Sequence, residues 1–165
     1  MIKTLITFAI LASLSGCSSK NAFTKFNMNK DQELSVSSLL SSKIKSKKDG
    51  KIDGVVSAIY LNEIYPDSYN NNEYFFVYLF LKNKKKMHDP KDFDKLDLSL
   101  RLNGELPIKI KQLENKNKFS HLTFIKSDWN RYYLVAFKKQ NKTSISLVLE
   151  SDQSFSDQLE YQKDK

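Results

Sequence analysis

An apolar run from Tyr74 to Leu81 dominates the pattern of hydrophobic and polar positions along this chain. It is too short to cross a bilayer as a helix, which takes about 20 residues, and its aromatic content favours a strand. Because successive side chains of a strand point to opposite faces, one face carries Phe75, Val77, Leu79 and Leu81. The other, which we call the aromatic face, carries Tyr74, Phe76, Tyr78 and Phe80. We predict a central strand whose first face lies in the core and whose aromatic face is either covered or open to a partner.

A second pattern surrounds the dipeptide Asn103-Gly104. Hydrophobic residues alternate with polar ones on both sides of it, at Leu96, Leu98, Leu100 and Leu102 before it and at Leu106, Ile108 and Ile110 after it. Both residues of an Asn-Gly pair tolerate a positive φ, so the pattern predicts a β-hairpin with a type I′ turn. Pro107 has no N–H donor, so we expect either that the second strand of this hairpin lies at a sheet edge or that the proline nitrogen faces outward.

Shorter apolar patterns predict the remaining elements. Strands are expected over 55–64, 119–126, 129–138 and 144–150, with residues 140–142 joining the last two as a hairpin. The segment Tyr132–Phe137, apolar on both faces, is the expected neighbour of the central strand. Nearer the N-terminus we predict a strand over 33–37 followed by a short helix, and the polar tail offers one extra strand around residues 155–161.

These elements favour an all-β fold, an antiparallel β-sandwich of immunoglobulin-like or transthyretin-like type with about seven strands. We assign residues 51–151 to this domain. Residues 17–50 are interpreted as a polar tether with a short helix or strand, and residues 152–165 as a polar tail. The hydrophobic content of 40% is sufficient for a single core in a chain of 165 residues.

The first 17 residues form a separate unit. Lys3 gives a basic start, an apolar run extends from Leu5 to Leu14, and small residues follow, which is typical of a secretory signal over residues 1–16. The segment Leu14-Ser15-Gly16-Cys17 resembles the lipobox of bacterial lipoproteins. The resemblance implies that Cys17 becomes the first mature residue and is acylated, with palmitate among the acyl groups. A plain secretory signal that ends in a cysteine is the alternative.

The lipobox resemblance also implies a location. Ser18, rather than Asp, after the cysteine implies the outer membrane of a Gram-negative cell, facing the periplasm, with the inner membrane or the cell surface left open. Cys17 is the only cysteine, which excludes an intramolecular disulfide and a cysteine metal cluster. The net charge of +8 suits an anionic leaflet or an acidic partner, although lysines spread over a solvated surface are the stronger explanation. Nucleic acid is excluded as a partner by this compartment.

Residues with catalytic or metal-binding potential are few. His88 and His121 are isolated from each other and from the cysteine, and no serine lies in a Gly-x-Ser-x-Gly motif. The densest acidic cluster is interleaved with lysines and predicts a solvated loop rather than a cation site; it comprises Asp89, Asp92, Asp94 and Asp97. We therefore expect no enzyme activity, no cofactor and no metal.

The aromatic face is the candidate partner-binding surface. Together with Tyr60 and Tyr132 it collects residue types that dominate protein-binding hot spots. The resulting hypothesis is a lipid-anchored periplasmic β-sandwich that binds a protein partner as a structural or assembly component of the cell envelope.

Two alternatives remain open. A lipobox followed by a small β-sandwich is similar to the outer-membrane lipoprotein subunit of type VI secretion systems, and residues 77–96 resemble one strand and loop of that family. Trp129 departs from the pattern of that family. The other alternative is a ligand-binding or inhibitor module, in which the loops Asp67–Asn72 and Asn103-Gly104 make the contact.

Overall fold

The computed structural model describes residues 29–82, 87, 98–123 and 127–163. The signal segment, Cys17, His88 and the acidic cluster lie outside the described residues. The helical elements are α1 (Lys30–Ser38), α2 (Leu61–Ile64) and a 3₁₀ turn (Ser120–Leu122). The strands are β1 (Leu39–Ser46), β2 (Ile52–Tyr60), β3 (Glu73–Leu81), β4 (Ser99–Leu102), β5 (Lys109–Leu113), β6 (Arg131–Phe137), β7 (Ser144–Glu150), β8 (Ser154–Ser156) and β9 (Leu159–Gln162).

The strands form one antiparallel sheet that curls into a half-barrel. Their order is β4-β7-β8-β1-β2-β3-β6-β5, and β9 also pairs with β7. The predicted all-β, sandwich-like class is confirmed, with nine described strands rather than about seven. The sheet is wider than residues 51–151, because β1, β8 and β9 belong to it. The tail thus contributes strands, as the pattern around residues 155–161 predicted.

The core lies inside this curl. Phe75, Val77 and Leu79 of β3 share one buried cluster with the leucines of β4 and with Ile145, Leu147 and Leu149 of β7. Since β3 and β4 are far apart in the strand order, they meet in one cluster only because the sheet bends round. The predicted core face of the central strand is confirmed. Its predicted neighbour is also confirmed, because β6 pairs with β3 and places Tyr132 opposite Tyr78.

The Asn103-Gly104 turn is present, but the predicted hairpin is wrong. Both residues have positive φ, 50° and 86°, and one isolated bridge joins Leu102 to Glu105. Beyond this bridge the chain leaves β4, and the N–H of Ile108 donates to Ala136 O of β6 at 2.8 Å. The following strand, β5, pairs only with β6 and forms the opposite edge of the sheet. The edge position expected from Pro107 is therefore confirmed.

Three further local predictions are corrected. The segment 30–46 is a helix followed by a strand, the reverse of the predicted order, because a capping box between Asn29 and Gln32 begins α1. The described part of 119–126 contains a 3₁₀ turn rather than a strand, and the segment that leads into it is bent by a bond from the N–H of Phe119 to Asn117 Oδ1 at 2.9 Å. Residues 140–142 join two strands that do not pair with each other, so they form no hairpin.

Gly54 of β2 leaves no room for a side chain beside β3. A Cβ atom at this position would lie 2.2 Å from Phe80 O and 2.8 Å from Leu81 Cδ2. Gly50, in the turn before β2, has a positive φ of 68° but free space around it. The two glycines are therefore required for different reasons, one steric and one conformational.

We expect Gly54→Ala to lower the free energy of unfolding by about 2 kcal/mol or more, because β3 must shift to admit the methyl group. Gly50→Ala, which meets only backbone strain, should cost about 1 kcal/mol. Urea denaturation of both variants measures the difference. Equal losses would contradict the close approach of β3 to Gly54.

Candidate functional site

The aromatic face, predicted as a partner-binding surface, is largely covered by the chain itself. Phe76, Tyr78 and Tyr132 are buried in a second cluster on the outer side of the sheet. The cover consists of α1, α2 and the segment 119–122, with the Phe119 ring 5.2 Å from that of Phe76. Three of the six predicted contact residues are thus packed under local elements, and the prediction is corrected in this respect.

The other three predicted contact residues lie in different places. Tyr60 points into the core, where its ring lies 5.1 Å from that of Phe75. Tyr74 lies at the margin of the second cluster, half-buried against Tyr69 with ring centroids 4.8 Å apart. Phe80 alone is exposed, by 38%, at the end of β3 away from the helices. The structure therefore does not bring the six residues together as one surface.

Polar contacts hold α1 over the aromatic face. The Ser35 hydroxyl donates to Leu122 O at 3.1 Å, and the Gln32 amide donates to His121 O at 3.1 Å. The Ser38 hydroxyl donates to Glu63 of α2. Because Ser35 and Ser38 are the buried residues of α1, the cover is attached by hydrogen bonds as well as by apolar contact.

A pocket of about 360 Å³ lies where β2, β6 and β9 end and β3 begins. We call it the loop-end pocket, and its lining is Tyr60, Asn62, Glu63, Pro66, Tyr69, Asn70, Lys139, Gln162 and Lys163. It thus contains part of the loop 67–72 that the ligand-binding hypothesis singled out. The second loop of the ligand-binding hypothesis, Asn103-Gly104, lies at the same end of the sheet. Its Asn103 amide donates to Gln140 Oε1 at 3.2 Å.

The loop wall of the pocket is fixed by hydrogen bonds. Asn62 donates to Asn72 O at 2.6 Å and accepts from the N–H of Tyr74 at 2.8 Å. The Lys139 ammonium donates to Asn70 O at 2.6 Å. An ammonium has three donors, so this bond leaves Lys139 with further N–H groups at the pocket.

The floor of the pocket rests on a buried ion pair. Glu73, with a fully buried side chain, accepts from the Lys163 ammonium at 2.7 Å, while the Lys163 side chain is 17% exposed. The Tyr60 hydroxyl donates to Glu73 Oε2 at 2.6 Å, and the N–H of Gln140 donates to Oε1 at 2.7 Å. Strands β2 and β3, the segment after β6 and the residue after β9 therefore meet at one carboxylate.

These contacts determine the charge state of the floor. Burial by itself raises the pKa of Glu73, but the bonds from Lys163, Tyr60 and Gln140 outweigh it and hold the pKa below its ordinary value. Burial raises the pKa of Tyr60 far above its ordinary value, and the nearby Glu73 carboxylate raises it further. At neutral pH the floor therefore holds a carboxylate, an ammonium and a neutral phenol that donates.

His121, one of the two histidines, has a structural partner. Its Nε2 lies 2.8 Å from the hydroxyl of Tyr65, the residue that follows α2. Burial, with the carboxylate of Asp31, raises the pKa of Tyr65 to about 12. The contact ties the 3₁₀ turn to α2. Within the described ranges no group of three His, Cys, Asp or Glu side chains is arranged to hold a metal ion.

Glu73 and Lys163 were not predicted from the sequence. One signal was available, because Glu73 directly precedes the apolar run and its side chain points to the same face as Phe75. A charge on a core face indicates a buried partner. Nothing in the polar tail indicated which of its lysines would be that partner.

Comparison with protein-family models, with curated proteins and with solved structures found no match to this chain. In the part of the chain that the structure describes, no helix is long and apolar enough to cross a membrane.

We expect Glu73→Gln to lower the free energy of unfolding at pH 7 by about 3 kcal/mol, because it leaves the buried Lys163 without its counter-charge. Since the folded pKa of Glu73 is lowered, its stabilisation is complete above the unfolded value of about 4.3 and is lost as the pH falls through the folded pKa. The difference between wild type and variant should therefore shrink in acid. Urea denaturation from pH 7 to pH 3 measures it.

The exposed pair Lys45–Asp157 provides the matched control, with side chains 35% and 61% exposed. Asp157→Asn should cost less than about 1 kcal/mol and leave the acid profile intact. A profile for Glu73→Gln as steep as that of wild type would contradict the assigned role of Glu73.

Proposed function

We propose that this protein is a non-enzymatic, lipid-anchored binding protein of the bacterial envelope. It is attached to the outer membrane through acylated Cys17, faces the periplasm, and binds a protein partner as a structural or assembly component. The observation that supports this proposal best is the loop-end pocket, a recess with fixed walls on one end of a rigid sheet. The partner-binding role thus moves from the covered aromatic face to this end.

The chemistry of the pocket favours binding over catalysis. Glu73 and Lys163 neutralise each other, and Tyr60 gives its proton to the same carboxylate. None of these three groups is therefore held ready to exchange a proton with a substrate. The groups that line the recess beside its floor are side-chain amides, the Tyr69 ring, Pro66, the Lys139 ammonium and the Glu63 carboxylate. The Glu63 carboxylate accepts from the Ser38 hydroxyl, so Lys139 is the charged donor left for a partner, and this set of groups suits recognition.

The pocket fits an acceptor-rich segment of a partner protein. Lys139 offers N–H donors beyond its bond to Asn70 O, and Asn70 and Gln162 line the recess beside it. Tyr69 supplies an aromatic wall whose hydroxyl is held by the Lys118 ammonium at 2.9 Å. A partner loop that carries an acidic side chain would pair with Lys139 and pack against Tyr69.

A ligand-binding module is the second candidate, since a volume of about 360 Å³ lies in the range of small-molecule pockets. The secretion-subunit alternative depends on residues 77–96, most of which lie outside the described part of the chain. It stays a prediction.

We expect Cys17→Ser to abolish acylation. Cells fed an alkyne fatty acid should incorporate the label into the wild-type protein and not into the variant, and only the wild type should be recovered as a mature form in the outer-membrane fraction. Label in the variant, or none in the wild type, would contradict the proposed anchor.

We expect Lys139→Gln to weaken capture of the partner at least about tenfold, because it removes the charged donor at the pocket. Lys142→Gln, which neutralises an exposed lysine three residues away, is the matched control and should leave capture unchanged. Cross-linking of the acylated protein in intact cells, followed by titration with the recovered partner, compares the two variants. Equal capture by both would remove the loop-end pocket as the binding site.

A further inference from the structure

Exposed hydrophobic side chains gather at the end of the sheet opposite the loop-end pocket. Each is large and more than one third exposed, and we call the group the apolar rim: Ile52 41%, Val55 37%, Phe80 38%, Phe155 38% and Trp129 80%. Apolar groups of this kind mark interaction surfaces when they are contiguous.

Strand register places four of these side chains, those of Ile52, Val55, Phe80 and Phe155, on the outer side of the sheet. Val55 of β2 is directly opposite Phe80 of β3. Lys45 of β1 is opposite both Ile52 of β2 and Phe155 of β8. The rim thus crosses four adjacent strands.

A β-bulge aligns the two members on β2. Ile52 and Val55 are three residues apart, a spacing that would put them on opposite faces of a regular strand. The register of β1 with β2 shifts at Ile44 and Lys45, so that Lys43 pairs with Val55 and Lys45 with Ile52. Since Lys43 and Lys45 share a face, the bulge brings both apolar residues to the outer side.

Trp129 extends the rim beyond β3. Arg131 is opposite Leu79, so the chain reaches β6 beside the end of β3 that carries Phe80. Trp129 lies two residues earlier, in a turn closed by the bond from the N–H of Asn130 to Ser127 O. It is the only tryptophan of the protein.

Lysines surround and interrupt the rim. Lys43 and Lys45 lie between its members, and Lys47, Lys48, Lys51 and Lys82 lie at the same end. Two of these six are paired with carboxylates, Lys45 with Asp157 and Lys51 with Asp49. Among the described residues, no carboxylate lies within salt-bridge distance of the other four.

We propose that the apolar rim rests on the surface of the anionic bilayer that holds the acyl chain. Exposed tryptophan and phenylalanine bordered by lysine suit a lipid headgroup region, where rings enter the interface and ammonium groups meet phosphates. The core of a protein interface, by contrast, is depleted of lysine. This inference rests on the proposed function, because the anchor brings the rim to the bilayer.

The chain outside the structure is long enough for this contact. Eleven residues, 18–28, separate Cys17 from the first described residue, Asn29. At about 3.5 Å per residue they reach about 40 Å, whereas a strand of nine residues such as β3 spans about 30 Å. The anchor therefore permits either end of the sheet to meet the membrane, and the rim selects one.

Trp129 reports the contact directly because no other tryptophan contributes to the emission. We expect the acylated full-length protein, reconstituted into vesicles of phosphatidylethanolamine with one quarter phosphatidylglycerol, to show blue-shifted emission that headgroup-proximal brominated lipid quenches. In phosphatidylcholine vesicles the shift should be smaller, since the lysines lose their counter-charge. Unshifted emission that iodide quenches freely in both vesicles would overturn the inference.

Paired variants test the surface and retain Trp129. Phe80→Ser with Phe155→Ser should lower binding of non-acylated chains to the anionic vesicles about tenfold. Leu106→Ser with Ile108→Ser removes two equally exposed side chains, 39% and 44%, near the start of β5 and away from the rim, and should leave vesicle binding unchanged. Circular dichroism and urea midpoints verify that both variants fold. Equal binding by the two variants would overturn the inference.

The two proposals fail in different ways. A wild-type protein that carries no acyl chain would refute the anchor, while the non-acylated chain still tests the rim on vesicles. An acylated protein that floats with vesicles but keeps a fully hydrated Trp129 would refute the rim alone. Loss of protein partner capture in the Phe80 and Phe155 variant, without any effect of vesicles on emission, would assign the rim to that partner and overturn the membrane contact.

Discussion

The ion pair between Glu73 and Lys163 links the C-terminal segment of the chain to the central strand. Glu73 begins the central strand, and Lys163 follows the last strand, so their bond fixes the C-terminal segment against the middle of the sheet. Tyr161 supports this attachment, because its buried hydroxyl donates to Ala58 O at 2.7 Å. A half-barrel formed from one sheet has no second sheet to close it, and the segment β8–β9 bridges β7 and β1. The charged pair secures the end of that bridge, at the floor of the loop-end pocket.

The outer side of the sheet is only partly buried, unlike the inner side. Helix α1, whose buried residues are serines, covers the aromatic face at one end, and the bonds from Ser35 and Ser38 hold it there. At the other end of the same face no described element covers Val55 and Phe80. The outer side is therefore divided along the strands, with aromatic rings buried near α2 and apolar groups exposed near the bulge.

Much of the sheet was predictable, because period-2 patterns report which side chains share a face. They identified β3, its core face and β6 as its neighbour, and Asn103-Gly104 identified a tight turn. Pairing was less predictable: an Asn-Gly turn specifies a local reversal, whereas the pairing of β5 with β6 depends on contacts distant in sequence. Residues 33–37 of helix α1 were predicted as a strand, because the helix buries serines and shows no apolar stripe. For the same reason the sequence did not indicate that α1 covers the aromatic face. The location of the pocket was not predicted either.

The separation of rim and pocket has a consequence for partner binding. Strand β3, with nine residues, spans about 30 Å, so the sheet separates the rim from the pocket by about that distance. A protein held by an acyl chain alone samples many orientations within the reach of its tether. Only in some of these orientations does the pocket point away from the bilayer. The proposed contact of the rim with lipid would remove most of these orientations. The pocket would then be presented at one height and in one direction, which would lower the entropy cost of binding the proposed envelope partner.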